Sequence, residues 1–506
     1  MSLPPPGLTA ASPAQARSPI AFALRLSAGA LLGKIFGFAR ELIFARLLGV
    51  GLIADAYRGA VTATLLPIAA LQGDLVPSIL IPLHREWNRQ GHGSRMFTPL
   101  TAIFALIASV LALLVWMFAG WWVDFVVPGF SPAARAITIT MLQWMAVGMP
   151  ASVVTACMSS IEISVGRARI TTLRATVQNI ATILGVLALA VTGRPEALGI
   201  SFAAGFWLLL LGGGWLLWRE GEIAFRDIKI RAAIHAWRIF FARTKPLLIQ
   251  PAADQVNTLI ERVASSLVGS GTLAALDYAR SLTETAEYLV SQPIGFVVLA
   301  QAAPTGTDLH ARVEALARPL LALALPASLT LAVFAPDMVR VIYERGAFRT
   351  YGVMLTADTL RGISCGLWAT TLGYILLRML NAASRNGVVA RILVGSYAVN
   401  IVINLLVPRL VGILGIGLGE AARGVTILIG ASIALGCGRL VLRLFFSLLP
   451  ALIILATSFV ILRLASLPPL STLVVAALAL ACVSLNGIRP ELRTLYQRIR
   501  PARAGS

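Results

Sequence analysis

The sequence is poor in charged residues. Only 13% of its 506 residues are charged, whereas 58% are apolar and the mean hydropathy is +0.84. Soluble globular proteins carry about 25% charged residues, so these values exclude a large water-soluble enzyme. A transmembrane helix needs about 20 apolar residues, and in lipid only helices and closed barrels satisfy every backbone polar group. The composition therefore predicts an all-α polytopic membrane protein.

Acidic residues, lysine, cysteine and histidine are also scarce. There are 22 Asp and Glu against 42 Lys and Arg, and lysine occurs only at Lys34, Lys229 and Lys245. The four cysteines lie in apolar stretches without C-x-x-C spacing, and the four histidines are scattered, which excludes a zinc site and a disulfide framework. No G-x-S-x-G, H-E-x-x-H or Walker motif occurs, so we expect a transporter without catalytic residues or a bound metal. The basic residues lie in loops without interleaved aromatics, which argues against nucleic acid as a partner.

Fourteen apolar windows predict the transmembrane helices. They fall at 20–48, 52–82, 97–123, 135–162, 170–192, 196–218, 246–270, 273–303, 316–336, 354–381, 388–408, 411–437, 444–466 and 468–488. Basic residues concentrate in alternate connections, above all in 219–245, so the positive-inside rule places both termini in the cytoplasm. The connection 337–350 breaks this pattern, because it should be periplasmic and yet contains three arginines.

An internal repeat organises these spans. ARLLGVGLIADAYRGA begins at the end of the first window and ASSLVGSGTLAALDYARSL at the end of the seventh, about 220 residues later. An even number of spans separates the copies, so an axis along the membrane normal should relate the two halves; an accidental match of small residues is the alternative. We predict two six-helix lobes and two further helices, as in an alternating-access transporter. The predicted parts are a disordered cytoplasmic tail (1–19), an N-lobe (20–218), a basic cytoplasmic linker (219–245), a C-lobe (246–437), spans 13 and 14 (438–488) and a basic cytoplasmic tail (489–506).

Charged residues inside the predicted spans need an explanation, because each costs roughly 2.5–3.5 kcal/mol at the bilayer centre on insertion scales. Span 1 carries Lys34, Arg40 and Glu41, and Lys34 and Glu41 share one stripe of the helix. A water-filled cavity that receives anions and a set of structural ion pairs both account for these charges. In span 8, Arg280 could simply pair with Glu284 at i+4.

Polar side chains in spans 7 and 11 suggest a second site. Asp254, Asn257, Thr258 and Glu261 follow helical spacing in span 7, and Asn400 and Asn404 lie one turn apart in span 11. Asp254, Glu261, Asn400 and Asn404 could hold Na⁺ or relay a proton, although hydrogen bonding between helices is the commoner role of such residues. Asp358 with Arg361, and Glu420 with Arg423, have i, i+3 spacing and should form local ion pairs.

Four segments of the sequence resemble the MurJ (MviN) family, the lipid II flippases of the MOP transporter superfamily. They are GKIFGFARELIFARLLGVGLIADAY at 33–57, QGDLVPSILIPLHREW at 72–87, DQVNTLIERVASSLVGSGTLAALDYARSL at 254–282 and VIYERGAF at 341–348. The resemblance implies fourteen helices in two lobes around a central cavity, in the bacterial inner membrane, with both termini cytoplasmic. It also implies that the region 341–350 works at the periplasmic side, which would explain the arginines there.

The resemblance also implies a function. A polyprenyl-diphosphate-linked sugar precursor, lipid II or similar, would be moved from the cytoplasmic to the periplasmic leaflet for peptidoglycan synthesis. We expect no cofactor, and Na⁺, H⁺ or the membrane potential would drive the cycle. Arg40 and Asp55 match family positions, Lys34 stands for an arginine and Glu41 for an aspartate. The cavity arginines expected in spans 2 and 8 fall on Ile68 and Ser281.

The charged residues of the spans, together with the family pattern, form the candidate substrate site. The basic residues expected to bind the diphosphate are Lys34, Arg40, Arg58 and Arg280, and the expected gating carboxylates are Glu41, Asp55 and Asp277. Because two family arginines are absent, the precursor of an exopolysaccharide or an O-antigen is an alternative substrate. A cation-coupled antiporter of small molecules is an alternative of another class, against which the basic residues of span 1 argue. Membrane lipids and the machinery of cell-wall or polysaccharide synthesis are the expected partners.

Overall fold

The computed structural model describes residues 19–73, 75–223, 230–285, 309–465 and 468–487, and this part of the chain consists of helices and turns without a β-strand. The first half contains α1 (Pro19–Leu48), α2 (Leu52–Leu65), α3 (Ala69–Gln72), α4 (Leu75–Arg89), α5 (Gly93–Met117), α6 (Ala119–Val126), α7 (Pro132–Ala146), α8 (Met149–Ser164), α9 (Arg169–Thr192), α10 (Glu196–Arg219) and α11 (Ile230–Thr244).

The second half contains a further ten helices within the described ranges. These are α12 (Ile249–Val268), α13 (described over 272–285), α14 (Leu309–Val333), α15 (Ala335–Tyr343), α16 (Thr350–Ala382), α17 (Asn386–Leu406), α18 (Pro408–Val411), α19 (Leu414–Ala434), α20 (Gly438–Leu464) and α21 (Pro469–Gly487).

The all-α polytopic membrane fold is confirmed. Among the described residues, nine helices are long and apolar enough to cross a membrane, or ten if α7 and α8, which bend by 47°, form one span. α12 is not among the nine, because Asp254, Glu261 and Arg262 lie within its 20 residues. The total of fourteen spans and the domain bounds stay predictions, and the tails 1–18 and 488–506 lie outside the described residues.

Several predicted spans are broken helices, and the sequence supplies the breaks. The second window contains α2, α3 and α4, and a 3₁₀ turn at Leu66–Ile68 with Pro67 separates α2 from α3. Proline lacks the backbone N–H that a continuous helix needs. The fourth window divides into α7 and α8 at Gly148, and Pro150 follows within the first turn of α8. Ser131 starts α7, since its hydroxyl accepts a hydrogen bond from the Ala134 N–H.

Small residues bring α1 directly against α9. Gly29, Gly33 and Gly37 face Thr172, Ala175 and Asn179, and a Cβ on Gly33 would lie 2.8 Å from the Cβ of Ala175. Such spacing of small residues lets helix backbones approach closely in a membrane. α1 therefore packs directly against α9, and this contact fixes the direction in which the charged side chains of α1 point.

The hydrophobic core has two large parts within the described ranges. One joins the helices of the first half to α13, α15 and the start of α16, through rings such as Phe44, Tyr57, Tyr278 and Tyr343. The other joins α14, α16, α17, α19 and α20. The predicted linker 219–245 contains α11, whose Trp237 and Phe240 pack against Phe104 at ring distances of 5.7 and 5.1 Å.

Candidate functional site

Three turns meet at one end of the helices. They are the α1–α2 turn (49–51), the α12–α13 turn (269–271) and the α15–α16 turn (344–349), which we call together the three-turn junction. The Ala347 N–H donates to the Arg46 carbonyl at 2.8 Å, and the Tyr278 hydroxyl donates to the Gly49 carbonyl at 3.0 Å. Gly271 has φ +87°, and a Cβ there would lie 2.7 Å from the Val50 carbonyl oxygen. The turns are thus in direct backbone contact, and this contact requires glycine.

Asp55 connects the two copies of the repeat at this junction. Its buried carboxylate accepts hydrogen bonds from the Gly271 N–H at 2.5 Å and the Ala274 N–H at 2.9 Å. These N–H groups belong to the start of α13 and have no partner within that helix. A negative charge at a helix N-terminus is also favourable. Asp55 on α2 therefore caps a helix of the other repeat.

A buried ion network lies next to the junction. Glu41 accepts hydrogen bonds from Arg58 through both carboxylate oxygens, and Arg40 donates to it at 2.5 Å. The Arg58 Nε lies 3.4 Å from Asp277 Oδ2, and Arg262 donates to Asp277 Oδ1 at 2.8 Å. The network joins α1, α2, α12 and α13. The Arg58 guanidinium also lies within 5.8 Å of the ring centroids of Phe44, Tyr57 and Tyr278.

Arg40 is further tied to α9. Its Nη1 donates to Asn179 Oδ1 at 2.9 Å, and Asn179 Nδ2 donates to the Gly33 carbonyl at 3.1 Å. The Asn179 side-chain amide thus binds both the backbone of α1 and Arg40, a residue predicted to bind the substrate. Sequence reasoning missed Asn179, because nothing in the spacing of α9 reveals which residue faces α1.

A second charged cluster lies between α12, α13, α16 and α19. Arg280 Nη2 donates to Glu261 at 2.5 Å and also to Glu420. Glu420 accepts from Arg423 at 2.6 Å, which confirms that predicted i, i+3 pair; the other, Arg361 with Asp358, is formed at 2.8 Å. The sequence did not reveal that Glu420 also binds a residue of α13. It also missed Arg262, although Arg262 is the neighbour of Glu261.

This cluster lines a cavity of about 370 Å³. Its polar lining residues are Asp254, Asn257, Thr258, Glu261, Arg280, Thr283, Glu284, Thr370, Tyr374, Glu420 and Arg423. Arg280 does not pair with Glu284, the simple i+4 pair considered from the sequence. Glu284 instead binds Lys34 Nζ at 2.7 Å, so a residue of α13 meets one of α1.

The four residues of the predicted cation site do not all come together. Asp254 and Glu261 line the cavity, whereas Asn400 and Asn404 are buried at the contact of α17 with α19 and are not among its lining residues. Asn404 Nδ2 donates to Asn400 Oδ1 at 3.1 Å, and a Cβ on Gly419 would lie 2.5 Å from that oxygen. The asparagines thus occupy a tight helix contact. Within the described ranges, no three or more His, Cys, Asp or Glu are grouped as metal ligands.

The two positions where family arginines are replaced differ in setting. Ile68 is fully buried in the hydrophobic core, so position 68 supplies no positive charge to a phosphate. Ser281 lies on α13 next to Arg280, which turns its guanidinium toward the two carboxylates instead. Whether Lys34, Arg40, Arg58 and Arg280 bind a diphosphate stays a prediction, and each of them has a carboxylate partner here.

Known proteins resemble this chain over most of its length. The family model described as "Lipid II flippase MurJ" matches residues 44–485. A probable lipid II flippase MurJ of Rhizobium tropici is 27% identical over 423 residues, which are 78% of this chain and 77% of the relative. The lipid II flippase MurJ of Burkholderia cenocepacia is 24% identical over 376 residues, 71% of each chain.

Solved structures show the same fold. A lipid II flippase MurJ in an inward closed conformation has a TM-score of 0.79 at 17% identity, covering 93% of this chain and all of that one. An inward-facing multidrug resistance MATE family transporter of the MOP superfamily has a TM-score of 0.61 at 14% identity, covering 84% and 98%. The family model spans most of the sequence, which confirms the resemblance inferred from its motifs: the chain belongs to the MurJ family of lipid II flippases.

Proposed function

We propose that this protein moves a polyprenyl-diphosphate-linked sugar precursor, lipid II or a close analogue, between the leaflets of the bacterial inner membrane by alternating access. The observation that carries the proposal is a gradient of exposure from the three-turn junction toward the opposite ends of α1 and α13. Asp55 and Arg58, on α2 next to the junction, are 3% and 7% exposed, whereas Lys34 on α1 and Glu284 on α13 are 47% and 56% exposed.

The two helices contribute charges at matching depths. Arg40 and Arg280 are each nine residues from Gly49 and Gly271, or about 13 Å along a helix, and their side chains are 25% and 24% exposed. Lys34 is fifteen residues from Gly49, or about 22 Å. This arrangement is typical of a cavity that is closed at the junction and open at the opposite end, with basic residues along its wall.

The basic residues suit a diphosphate. Arginine offers a planar fork of donors for phosphate oxygens, and lysine a compact charge. The Lys34–Glu284 pair is exposed, so exchanging its carboxylate for a phosphate costs little. Arg58 is buried between Glu41 and Asp277 and would reach a substrate only after this network opens.

Orientation, coupling and partners are part of the proposal. We place both termini in the cytoplasm, so that the junction lies at the periplasmic side and the precursor enters from the cytoplasmic leaflet. Na⁺, H⁺ or the membrane potential would drive the return, with Asp254 as the carboxylate for either cation and Glu261 as a carboxylate for a proton. The machinery that makes or consumes the precursor is the expected partner.

Two alternatives remain distinguishable. An exopolysaccharide or O-antigen precursor shares the diphosphate, and the absence of arginine at positions 68 and 281 keeps it in competition with lipid II. A small-molecule antiporter shares the fold, as the similarity to a multidrug transporter illustrates. The basic residues on α1 favour an anionic substrate over an organic cation.

The experiment is complementation. Cells depleted of their native lipid II flippase should survive when they express this chain, and Arg40→Ala should abolish the rescue. Arg361→Ala is the matched control, because within the described part of the chain Arg361 pairs only with Asp358, one turn away on α16. Failure of the unaltered chain to rescue, at normal membrane levels, would contradict lipid II as the substrate. Rescue by Arg40→Ala would contradict the proposed site.

A further inference from the structure

The carboxylates of the cavity between α12 and α19 outnumber its arginines. Once Glu284 is set aside with its partner Lys34, the remaining carboxylates are Asp254, Glu261 and Glu420, and the cations are Arg280 and Arg423. Among the described residues, the lining of the cavity therefore carries one negative charge in excess. An uncompensated charge within a membrane protein is costly and marks a functional group.

Glu261 is the carboxylate with the weakest compensation among those bound to arginine. Glu261 Oε2 and Glu420 Oε1 both accept from the same nitrogen of Arg280, so the two carboxylates lie side by side. Glu420 has Arg423 as a second cation, which donates to its other oxygen at 2.6 and 3.0 Å. Glu261 has its share of Arg280, and the other cation that acts on it, Arg262, forms its ion pair with Asp277. The two negative charges repel each other, and Glu261 forms fewer ion pairs to offset this repulsion than Glu420 does.

An independent observation points to a missing donor at the same place. Asn257 is 5% exposed and lines the cavity, and its Oδ1 has no hydrogen-bond partner among the described residues. Buried acceptors are rarely left without a donor. Asn257 precedes Glu261 by four residues, so the two side chains are neighbours on one face of α12. A proton on Glu261 would supply the donor that this oxygen lacks.

We propose that Glu261 takes up one proton when the substrate anion binds, and that this proton releases Arg280 to the anion. The inference rests on the proposed function, because it assigns the diphosphate to Arg280. A proton from the bulk solution, released there by the buffer acid, reaches a carboxylate oxygen of Glu261 through the open end of the cavity, and Glu261 becomes a neutral carboxyl group. Arg280 then keeps one carboxylate partner instead of two, and its free N–H turns to a phosphate oxygen.

The surrounding groups agree with a proton rather than a metal ion on Glu261. A metal ion on this carboxylate would lie beside the Arg280 guanidinium, which already donates to it at 2.5 Å, whereas a proton needs no space. In the part of the chain that the structure describes, the titratable and charged groups that face Glu261 or its cavity are Asp254 and Arg262 on α12, Arg280 and Glu284 on α13, Tyr374 on α16, Tyr397 beside Asp254 on α17, and Glu420 and Arg423 on α19.

The test measures binding of geranyl diphosphate, a short polyprenyl diphosphate, to the purified full-length protein in detergent and potassium buffer. Calorimetry in two buffers of different ionisation enthalpy counts the protons taken up. The unaltered protein should bind more weakly as pH rises, by up to about tenfold per pH unit for a one-proton linkage. Glu261→Gln mimics the protonated state, so it should bind tightly at high pH and take up about one proton fewer.

Two further variants separate this role from a structural one. Glu420→Gln also removes a partner of Arg280, but it leaves Glu261 able to titrate, so its pH dependence should persist. Asp358→Asn removes a carboxylate from an exposed local pair with Arg361 and should behave as the unaltered protein. The diphosphate also takes up protons, but it does so equally with every variant, so its contribution cancels when variants are compared.

Several results would overturn the inference. An unchanged proton count in Glu261→Gln, or undiminished binding by Arg280→Ala, would show that Glu261 is not linked to the anion through Arg280. A requirement for Na⁺ in place of the pH dependence would assign the coupling to a metal ion. In each case, rescue of depleted cells by the unaltered chain would leave the proposed function standing, whereas its failure would contradict that function separately.

Discussion

Asp55 should control how often the three-turn junction opens, and Asp55→Asn is the change that isolates its charge. The carboxylate holds two N–H groups at the start of α13, one through each oxygen. Asparagine keeps the size but offers one acceptor, and its amide NH₂ would face the second N–H. At least one charge-assisted hydrogen bond is lost, which is worth about 1.5–3 kcal/mol. Because about 1.4 kcal/mol is a factor of ten, the open population should rise about 10- to 150-fold.

The assay is thiol accessibility at the junction. Val50 packs between Gly271 and Gly352, so Val50→Cys reports on opening when the four native cysteines are replaced. While the junction is mostly closed, the labelling rate follows the open fraction. Asp55→Asn should therefore raise the rate by the same factor.

The control is Asp358→Asn, which makes the same chemical change in an exposed pair on α16. It should leave the labelling rate of Val50→Cys within about twofold, as expected for a surface ion pair of small energy. The reasoning is refuted if Asp55→Asn also stays within that range, or if both variants accelerate labelling equally. The first result would mean that the backbone contacts alone hold the junction closed.

Two further predictions concern stability in detergent, measured by thermal unfolding. Arg58→Ala leaves the buried Glu41 carboxylate with one arginine fewer, so it should lower the free energy of unfolding by about 3–5 kcal/mol. Arg361→Ala, the control, should change it by less than about 1 kcal/mol. Similar losses in both variants would contradict a special role of the buried network. Gly33→Leu should cost about 1–3 kcal/mol or more by overpacking the contact of α1 with α9. Gly395→Leu should be tolerated, because no described heavy atom outside the backbone of its own helix lies within 4 Å of the added Cβ. Equal behaviour of the two variants would mean that α1 can move away from α9 at little cost.

The sequence allowed the fold class, the family and the helical regions to be predicted because these follow from composition and motif. Apolar windows locate helices in lipid, and the segments around Asp55 and Asp277 identify the family. The breaks within windows were harder to foresee. Pro67 and Gly148 are visible in the sequence, but only the packing decides that they divide a span.

Partners of the charged residues could not be predicted, since they depend on contacts between distant helices. The spacing on α13 suggested a pair of Arg280 with Glu284, and the structure gives each of them a partner from another helix. Asn179 and Arg262 carried no signal for the same reason. Local pairs such as Asp358 with Arg361 were predictable, because four residues of one helix define them.

The two arginines that this chain holds near the replaced family positions do not substitute for them. Arg58 lies on α2, ten residues before Ile68, which belongs to the 3₁₀ turn beyond the end of that helix, and Arg280 is about 100° round the helix from Ser281. Both therefore face other side chains, and both are bound by two carboxylates from other helices. A diphosphate can bind Arg58 and Arg280 only if it displaces those carboxylates or if the carboxylates become neutral. In this chain, binding of the anion and rearrangement of the buried ion pairs should therefore be one event, with Lys34 and Arg40 as the first contacts.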